Sequence, residues 1–383
     1  MKKFLVVLVL VLFSASVFAQ QLTVDGEIKT GILWTKTEDG INPIDEKVDL
    51  GSKDDAGDAH GRFRLNINYF NPDTNMGFKV RLNWEQWMNQ SKAPEWPYAF
   101  GYGNFFQDQF TLSIGRLGFS PWGTGGPEMW KELDTSQSGG IRAEIKPSIV
   151  PGLNAGFIIN YFNSPREAGG DVKLSLLEIL KESVIGVSYT HDYFHVRFAY
   201  RLDSEYDQRV RNVTGEGDEL LYRVEERILK DYLPGFQIWA LGYYAGVGSP
   251  HEECIDFQNW LFAEYAPDMF TAQMRLGLDV VANRSIFHVR PGFYWNFFEK
   301  FVVVGALFKY GQDFGEGKVH PGSPYYTIEI EPKVQVNFSP NAYAAFAYNF
   351  SREYVHETPN HIKDKKEPIQ QTQWMNLRVG FYF

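Results

Sequence analysis

The chain has 383 residues, a formal net charge of −10, a single cysteine and 16% aromatic residues. That length suits one large domain or two small ones. The lone Cys254 excludes an intrachain disulfide framework and gives no thiolate metal cluster, and the acidic balance argues against a nucleic-acid binder.

At the start, Lys2 and Lys3 precede an apolar run from Phe4 to Phe13 and a small-residue segment from Ser14 to Ala19. Val17 and Ala19 are placed for cleavage before Gln20, so 1–19 is expected to be a leader and 20–383 one domain. The apolar run is short for a membrane span, and no later stretch reads as a transmembrane helix. This leaves a β-barrel open, because a barrel spreads its apolar residues over alternate positions.

Beyond the leader the dominant period is two. Phe63, Leu65, Ile67 and Tyr69 alternate with Arg62, Arg64, Asn66 and Asn68. Phe78, Val80, Leu82 and Trp84 alternate with Lys79, Arg81, Asn83 and Glu85. The same holds over 195–202, 273–280 and 326–338. The final strand puts Met375, Leu377, Val379, Phe381 and Phe383 opposite Asn376, Arg378, Gly380 and Tyr382. Helical spacing of three and four would mix the two classes. A soluble sandwich also alternates, but its core faces seldom run to so many large aromatics.

Connections alternate between two kinds. Tight turns are expected at 71–75, 107–109, 151–152, 192–193, 233–235, 267–268, 299–300 and 340–341. Longer or more polar loops are expected at 36–59, 88–97, 117–139, 164–181, 203–218, 248–253, 312–323 and 357–369, with a short exception at 283–285. Short turns on one side and long loops on the other are the plan of a bacterial outer-membrane barrel. Phe70, Phe106, Phe110, Tyr193, Phe194, Tyr232, Phe236, Tyr265, Phe270, Phe298, Phe301, Phe338 and Tyr343 lie beside the tight turns, and Tyr161 lies at a far strand end, as an interfacial girdle would. The fold expected is all-β: a transmembrane antiparallel β-barrel of about eighteen strands, with sixteen as the alternative. The alternative rests on 219–231, where Glu226 falls among apolar positions, and on 284–298, interrupted by Pro291.

With the leader, the terminal Phe383 and the segment Phe110-Thr111-Leu112-Ser113-Ile114-Gly115-Arg116, the chain resembles Gram-negative outer-membrane porins of the general type. The resemblance implies a third loop folded into the barrel, outer-membrane lipid and small hydrophilic solutes as partners, a terminal aromatic read by the barrel-assembly machinery, and a homotrimer. It implies neither a cofactor nor catalysis.

The candidate site is the polar face. Arg62, Arg64, Lys79, Arg81, Arg142, Lys146, Arg197, Arg201, Arg275, Arg290 and Arg378 share inward parity, as do the acids Asp25, Glu27, Glu85, Glu144, Asp279, Glu329 and Glu331. So many ionised groups need a water-filled lumen, since dry burial without partners costs several kcal/mol. The blander reading is that these charges neutralise one another across strands. The Gly-rich loop 117–139 carries Trp122 and Trp130. Folded inward, it would bring Glu128, Glu132 and Asp134 against the wall arginines as a constriction with a transverse field. As an ordinary external loop it would do none of this.

Other features read more weakly. The acidic stretch 38–58 reads as a solvated loop or a cation-attracting mouth. His251, Glu252, Glu253, His356 and His361 form no closed metal-ligand set in the sequence, and His195 and His288 show no acid partner there. Parity puts Arg116 on the lipid side unless a bulge follows Gly115 or the residue sits at the rim. The function expected is passive diffusion of small hydrophilic solutes through a water-filled pore. The alternatives are a substrate-selective channel for a sugar or organic acid, and a non-conducting barrel acting as a surface adhesin.

Overall fold

A computed structural model describes residues 22–38, 44–50, 61–85, 94–117, 120–124, 139–160, 183–207, 214–247, 256–281, 284–314, 324–355 and 370–383. The predicted leader over 1–19 lies outside these residues, as do Tyr161 and the histidine groups of 251–253 and 356–361.

The strands in chain order are β1 (Leu22–Glu38), β2 (Asp45–Leu50), β3 (Arg62–Asn71), β4 (Met76–Glu85), β5 (Glu95–Phe105), β6 (Phe110–Arg116), β7 (Gly139–Ile145), β8 (Leu153–Asn160), β9 (Val184–Thr190) and β10 (Phe194–Asp207). They continue as β11 (Thr214–Glu226), β12 (Phe236–Val247), β13 (Asp256–Tyr265), β14 (Phe270–Val281), β15 (Arg284–Phe297), β16 (Val302–Asp313), β17 (Pro324–Ser339), β18 (Ala342–Val355) and β19 (Gln370–Tyr382). Among the described residues one short helix, α1 (Leu229–Tyr232), sits in the turn between β11 and β12.

From β3 onward every strand pairs antiparallel with the next in sequence, and β1 closes on β19 from Glu27↔Tyr382 to Glu38↔Gln371. On its other edge β1 meets β3 over Leu22 to Lys29 and β2 over Ile32 to Thr37. Thus β2 and β3 are the upper and lower halves of one stave, and the barrel has 18 staves. The sixteen-strand alternative falls. Glu226 ends β11 at the rim, where its carboxylate accepts from the backbone N–H groups of Ile228 and, at 2.9 Å, Leu229, so it caps the turn into α1. Pro291 lies opposite Met274 with its side chain outward, and the strand continues past it.

The tight turns form as expected, whereas two of the long loops are shorter than expected. β2 lies within the predicted loop 36–59, and β10 and β11 run well into the predicted loop 203–218. Closure uses the last residue: Gly26 N donates to Phe383 O (2.8 Å) and Phe383 N to Gly26 O (3.0 Å). The Phe383 ring lies where a Cβ on Gly26 would be, 2.6 Å from that point, so this seam requires a glycine.

Two surfaces result. Ile114, Phe157, Ile185, Phe198, Met274, Phe308, Ile330, Phe346 and Leu377 are exposed on the outer face. Near the tight turns Phe106, Tyr193, Tyr232, Phe298 and Phe338 are exposed as a girdle. Two expected girdle residues face inward instead. Phe70 stacks on Tyr102 (6.2 Å, 4°), and Tyr343 lies against Gly380 with Arg378 over its ring (6.0 Å). Glu27, Arg142, Glu144, Arg201, Glu219 and Asp256 are buried on the inner face. Apolar outside and charged inside inverts the soluble-protein rule and matches a wall between hydrocarbon and water.

Candidate functional site: the lumen wall and the docked third connector

The inner wall of β1, β3, β4 and β19 is basic. Lys29, Arg62, Arg64, Lys79, Arg81 and Arg378 stand there beside Asp25 and Glu27. One carboxylate, Glu27, is shared by Arg62 (2.7 Å), Lys29 (3.0 Å) and Arg64 (3.3 Å). Amides hold the guanidinium planes. Arg64 Nε donates to Asn83 Oδ1 (2.9 Å), Arg81 Nε donates to Asn66 Oδ1 (2.7 Å), and Asn66 Nδ2 donates to Asp25 Oδ1 (2.5 Å). Neutral anchors fix these cations without cancelling their charge.

Aromatic rings share the inner face and lie flat on glycines of the next strand. Tyr102 covers Gly77, Trp260 covers Gly277 and Tyr343 covers Gly380. A cation then sits over each ring face: Lys79 over Tyr102 (5.6 Å), Arg290 over Trp260 (4.7 Å) and Arg378 over Tyr343. Arg81 over Tyr98 (4.8 Å) and Arg142 over Phe100 (5.5 Å) follow the same plan. Such contacts gain strength when partly desolvated. Parity in the sequence puts Trp239, Tyr243, Trp260 and Tyr294 on the inward face. Tyr98, Phe100, Tyr102, Phe262, Tyr343 and Trp374 share that face in the structure.

On the far wall the connector after β6 enters the lumen. Gly115 has φ 134°, in the region open to glycine, and Arg116 is the last residue of β6. Leu117 packs over Gly140, and Trp122 is fully buried against Gly186 of β9, where an added Cβ would fall 1.9 Å from its ring. Wall arginines grip the segment by its backbone: Arg223 Nη1 donates to Thr124 O (2.6 Å) and Arg197 Nη1 to Gly123 O (3.4 Å). The docked segment joins one buried cluster with Tyr98, Phe100, Ile158, Val184, Leu221, Leu241, Tyr243, Trp260 and Phe262. The described part of the third connector, residues 117 and 120–124, therefore folds inward, as expected.

The predicted constriction residues fall into three groups. Arg62, Arg64, Lys79, Arg81 and Arg378 form the basic wall. Arg197 holds the connector, while Arg142 pairs with Glu144 (3.0 Å) and Arg275 lies between β13 and β15 on β14. Glu128, Glu132 and Asp134 lie outside the described residues.

Sequence reasoning missed Lys29, Arg223, Lys309 and Lys333 on the basic side and Glu219, Glu225 and Asp256 on the acidic side. It also missed the acid partners of the two histidines. His195 Nδ1 lies 3.6 Å from Glu225 Oε2 on the neighbouring strand, and His288 Nε2 lies 3.3 Å from Asp279 Oδ2. Both pairings cross strands, so linear spacing hides them. Both histidines belong to wider contacts, His195 with Arg197 and Arg227 (3.4 Å each) and His288 stacked on Trp260 (5.1 Å). Among the described residues no cluster of three or more His, Cys, Asp or Glu is arranged to hold a metal.

No protein-family model matches the chain, and no curated protein matches it. Among solved structures it is similar to an anion-selective porin from Comamonas acidovorans (TM-score 0.54, 9% identity, 94% of this chain and 99% of that one). A mutant of the Rh. blastica porin gives a TM-score of 0.48 at 13% identity over 94% of this chain and 100% of that one. A loop-deletion mutant of OmpT, an outer membrane protein of Vibrio cholerae, gives 0.46 at 12% over 94% and 99%. An apolar outer face, a closed 18-stave barrel and an inward third connector together give this chain the fold of the outer-membrane porins of bacteria.

Proposed function

We propose that the protein is a water-filled pore for passive diffusion of small hydrophilic solutes across the outer membrane. The carrying observation is the inner wall of β1, β3, β4 and β19, where cations shared among few acids and anchored by amides require water to solvate them. Residues 1–19 act as the leader, and the tight turns face the periplasm. Phe383, at the seam with β1, is the residue read by the barrel-assembly machinery.

The docked connector narrows the passage. Its described part, residues 117 and 120–124, lies against β7, β9, β10 and β11. The acids Glu128, Glu132 and Asp134 follow the docked segment directly in sequence and complete the constriction opposite the arginines, which orders water and sorts charged solutes. Deleting 120–137 removes Trp122 and the acids together. Single-channel conductance of the deletion variant rises clearly over the parent, and an unchanged conductance overturns the constriction.

A further inference from the structure

Arg116 stands on the outer face of the barrel. The next residue, Leu117, packs over Gly140 on the inner wall, so Arg116 keeps outward parity with Leu112 and Ile114. β6 has only seven residues. That is about 20 Å along the strand, which tilt reduces to roughly 15 Å of height, against an apolar band about 25 Å tall. A strand that starts beside a tight turn therefore leaves Arg116 short of the far edge of the band. A charged side chain on the lipid face is costly, and more so with depth.

Two other outward cations are matched within the chain. Lys36 pairs with Glu38, and Arg352 lies over the Phe350 ring (5.0 Å) and donates through Nε to Gln371 Oε1 (3.3 Å). Among the described residues Arg116 has no such partner, and its Nε is buried without a hydrogen bond. The surface beside it is a trough. Ala99 of β5 and Gly139 of β7 flank Arg116 in register. One step toward the tight turns Gly101 is exposed, and a Cβ there would meet nothing nearer than Gly77 O at 3.8 Å. Phe78 and Ile114, 40% and 55% exposed, pair with Gly101 from either side and form the walls. The Phe105 ring over Gly103 closes the end. From Ala99 to Gly103 the floor runs for about 13 Å.

A hydrocarbon chain suits the floor and an anion suits the arginine at its head, and a lipid with an anionic headgroup has both. A second copy of the chain supplies the anion less well. Its outward carboxylates Glu38, Asp218 and Glu226 are already bonded to Lys36, to Tyr200 and to the backbone after β11. We infer that the trough is a binding site for a phosphate-bearing lipid of the leaflet on the long-loop side. Its acyl chain lies over Ala99 and Gly101, and its headgroup meets Arg116, whose flexible stem reaches toward the interface. The inference needs the barrel to sit in a membrane and does not need it to conduct.

Native mass spectrometry of the refolded, detergent-solubilised full chain tests it, with phosphatidylglycerol and phosphatidylcholine of equal acyl length as separate probes. Each variant is first shown to be closed by heat-modifiable gel mobility. Phosphatidylglycerol is expected to stay bound in preference to phosphatidylcholine. Arg116→Gln weakens its binding about tenfold, as loss of a charge-assisted contact requires. Gly101→Leu, which fills the trough and leaves the arginine in place, weakens it as well. Arg352→Gln, which removes an outward cation that is already bonded, changes it less than about threefold. Equal retention of the two lipids overturns the site. So does an equal loss in Arg352→Gln, which would assign the attraction to the outer surface as a whole. Parent copies that associate without any lipid preference and separate on Arg116→Gln assign the face to a second copy and overturn it too. A barrel that holds the lipid but stays silent in bilayers supports the site and refutes the pore.

Discussion

At the scale of single residues, the narrowing of the lumen depends on one indole and the glycine beneath it. Trp122 is fully buried and Gly186 offers it a flat seat on β9. Gly186→Ala would put a methyl group 1.9 Å from the ring, a distance that a rigid indole meets only by leaving its slot. The expected outcome is a larger single-channel conductance and a lower thermal midpoint, with a destabilisation of about 3–5 kcal/mol if the indole is fully displaced. Unchanged conductance at a lowered midpoint would show that the segment stays put without its anchor. That the loop turns inward was legible in the sequence, because two tryptophans in a glycine-rich loop are poorly suited to water. Its seat was not legible, because Gly186 and Arg223 are brought to it only by closure of the barrel.

At the scale of the element, each stave has an oily outer row, and its tolerance to charge measures where it sits. Val334, near the middle of β17, is exposed on that row between Pro332 and Val336. Val334→Arg is expected to cost about 2–4 kcal/mol in reversible refolding into lipid bilayers. A cost near zero would place β17 away from the hydrocarbon. Strands of this kind were the most legible part of the fold, since their alternation is strict. β2 was not legible: four of the six residues in its sequence Asp-Glu-Lys-Val-Asp-Leu are charged, and its apolar row is only Val48 and Leu50, too short to show as a period. β5 reverses the usual code. Tyr98 and Phe100 are buried inside while Ala99 and Gly101 are exposed outside, so hydrophobicity alone would assign its faces the wrong way round.

At the scale of the whole molecule, charge is segregated. The chain carries a net −10, yet the inner wall of β1, β3, β4 and β19 is basic. Much of the acidity lies in connectors such as the run that includes Asp39, Asp54, Asp55 and Asp58. A bulk charge therefore says little about the field a solute meets inside, where low-dielectric walls focus it. Strand number and closure were legible from turn spacing and parity. The seating of residues 120–124 on the barrel wall was not, because it arises from contacts between residues far apart in the chain, such as Arg223 with Thr124. The central claim is that a water-filled path runs through the molecule. Single-channel recording of residues 20–383, refolded and shown to be closed by heat-modifiable gel mobility, tests this most directly. Discrete conductance steps in planar bilayers are predicted; a correctly folded protein that stays silent would contradict the pore.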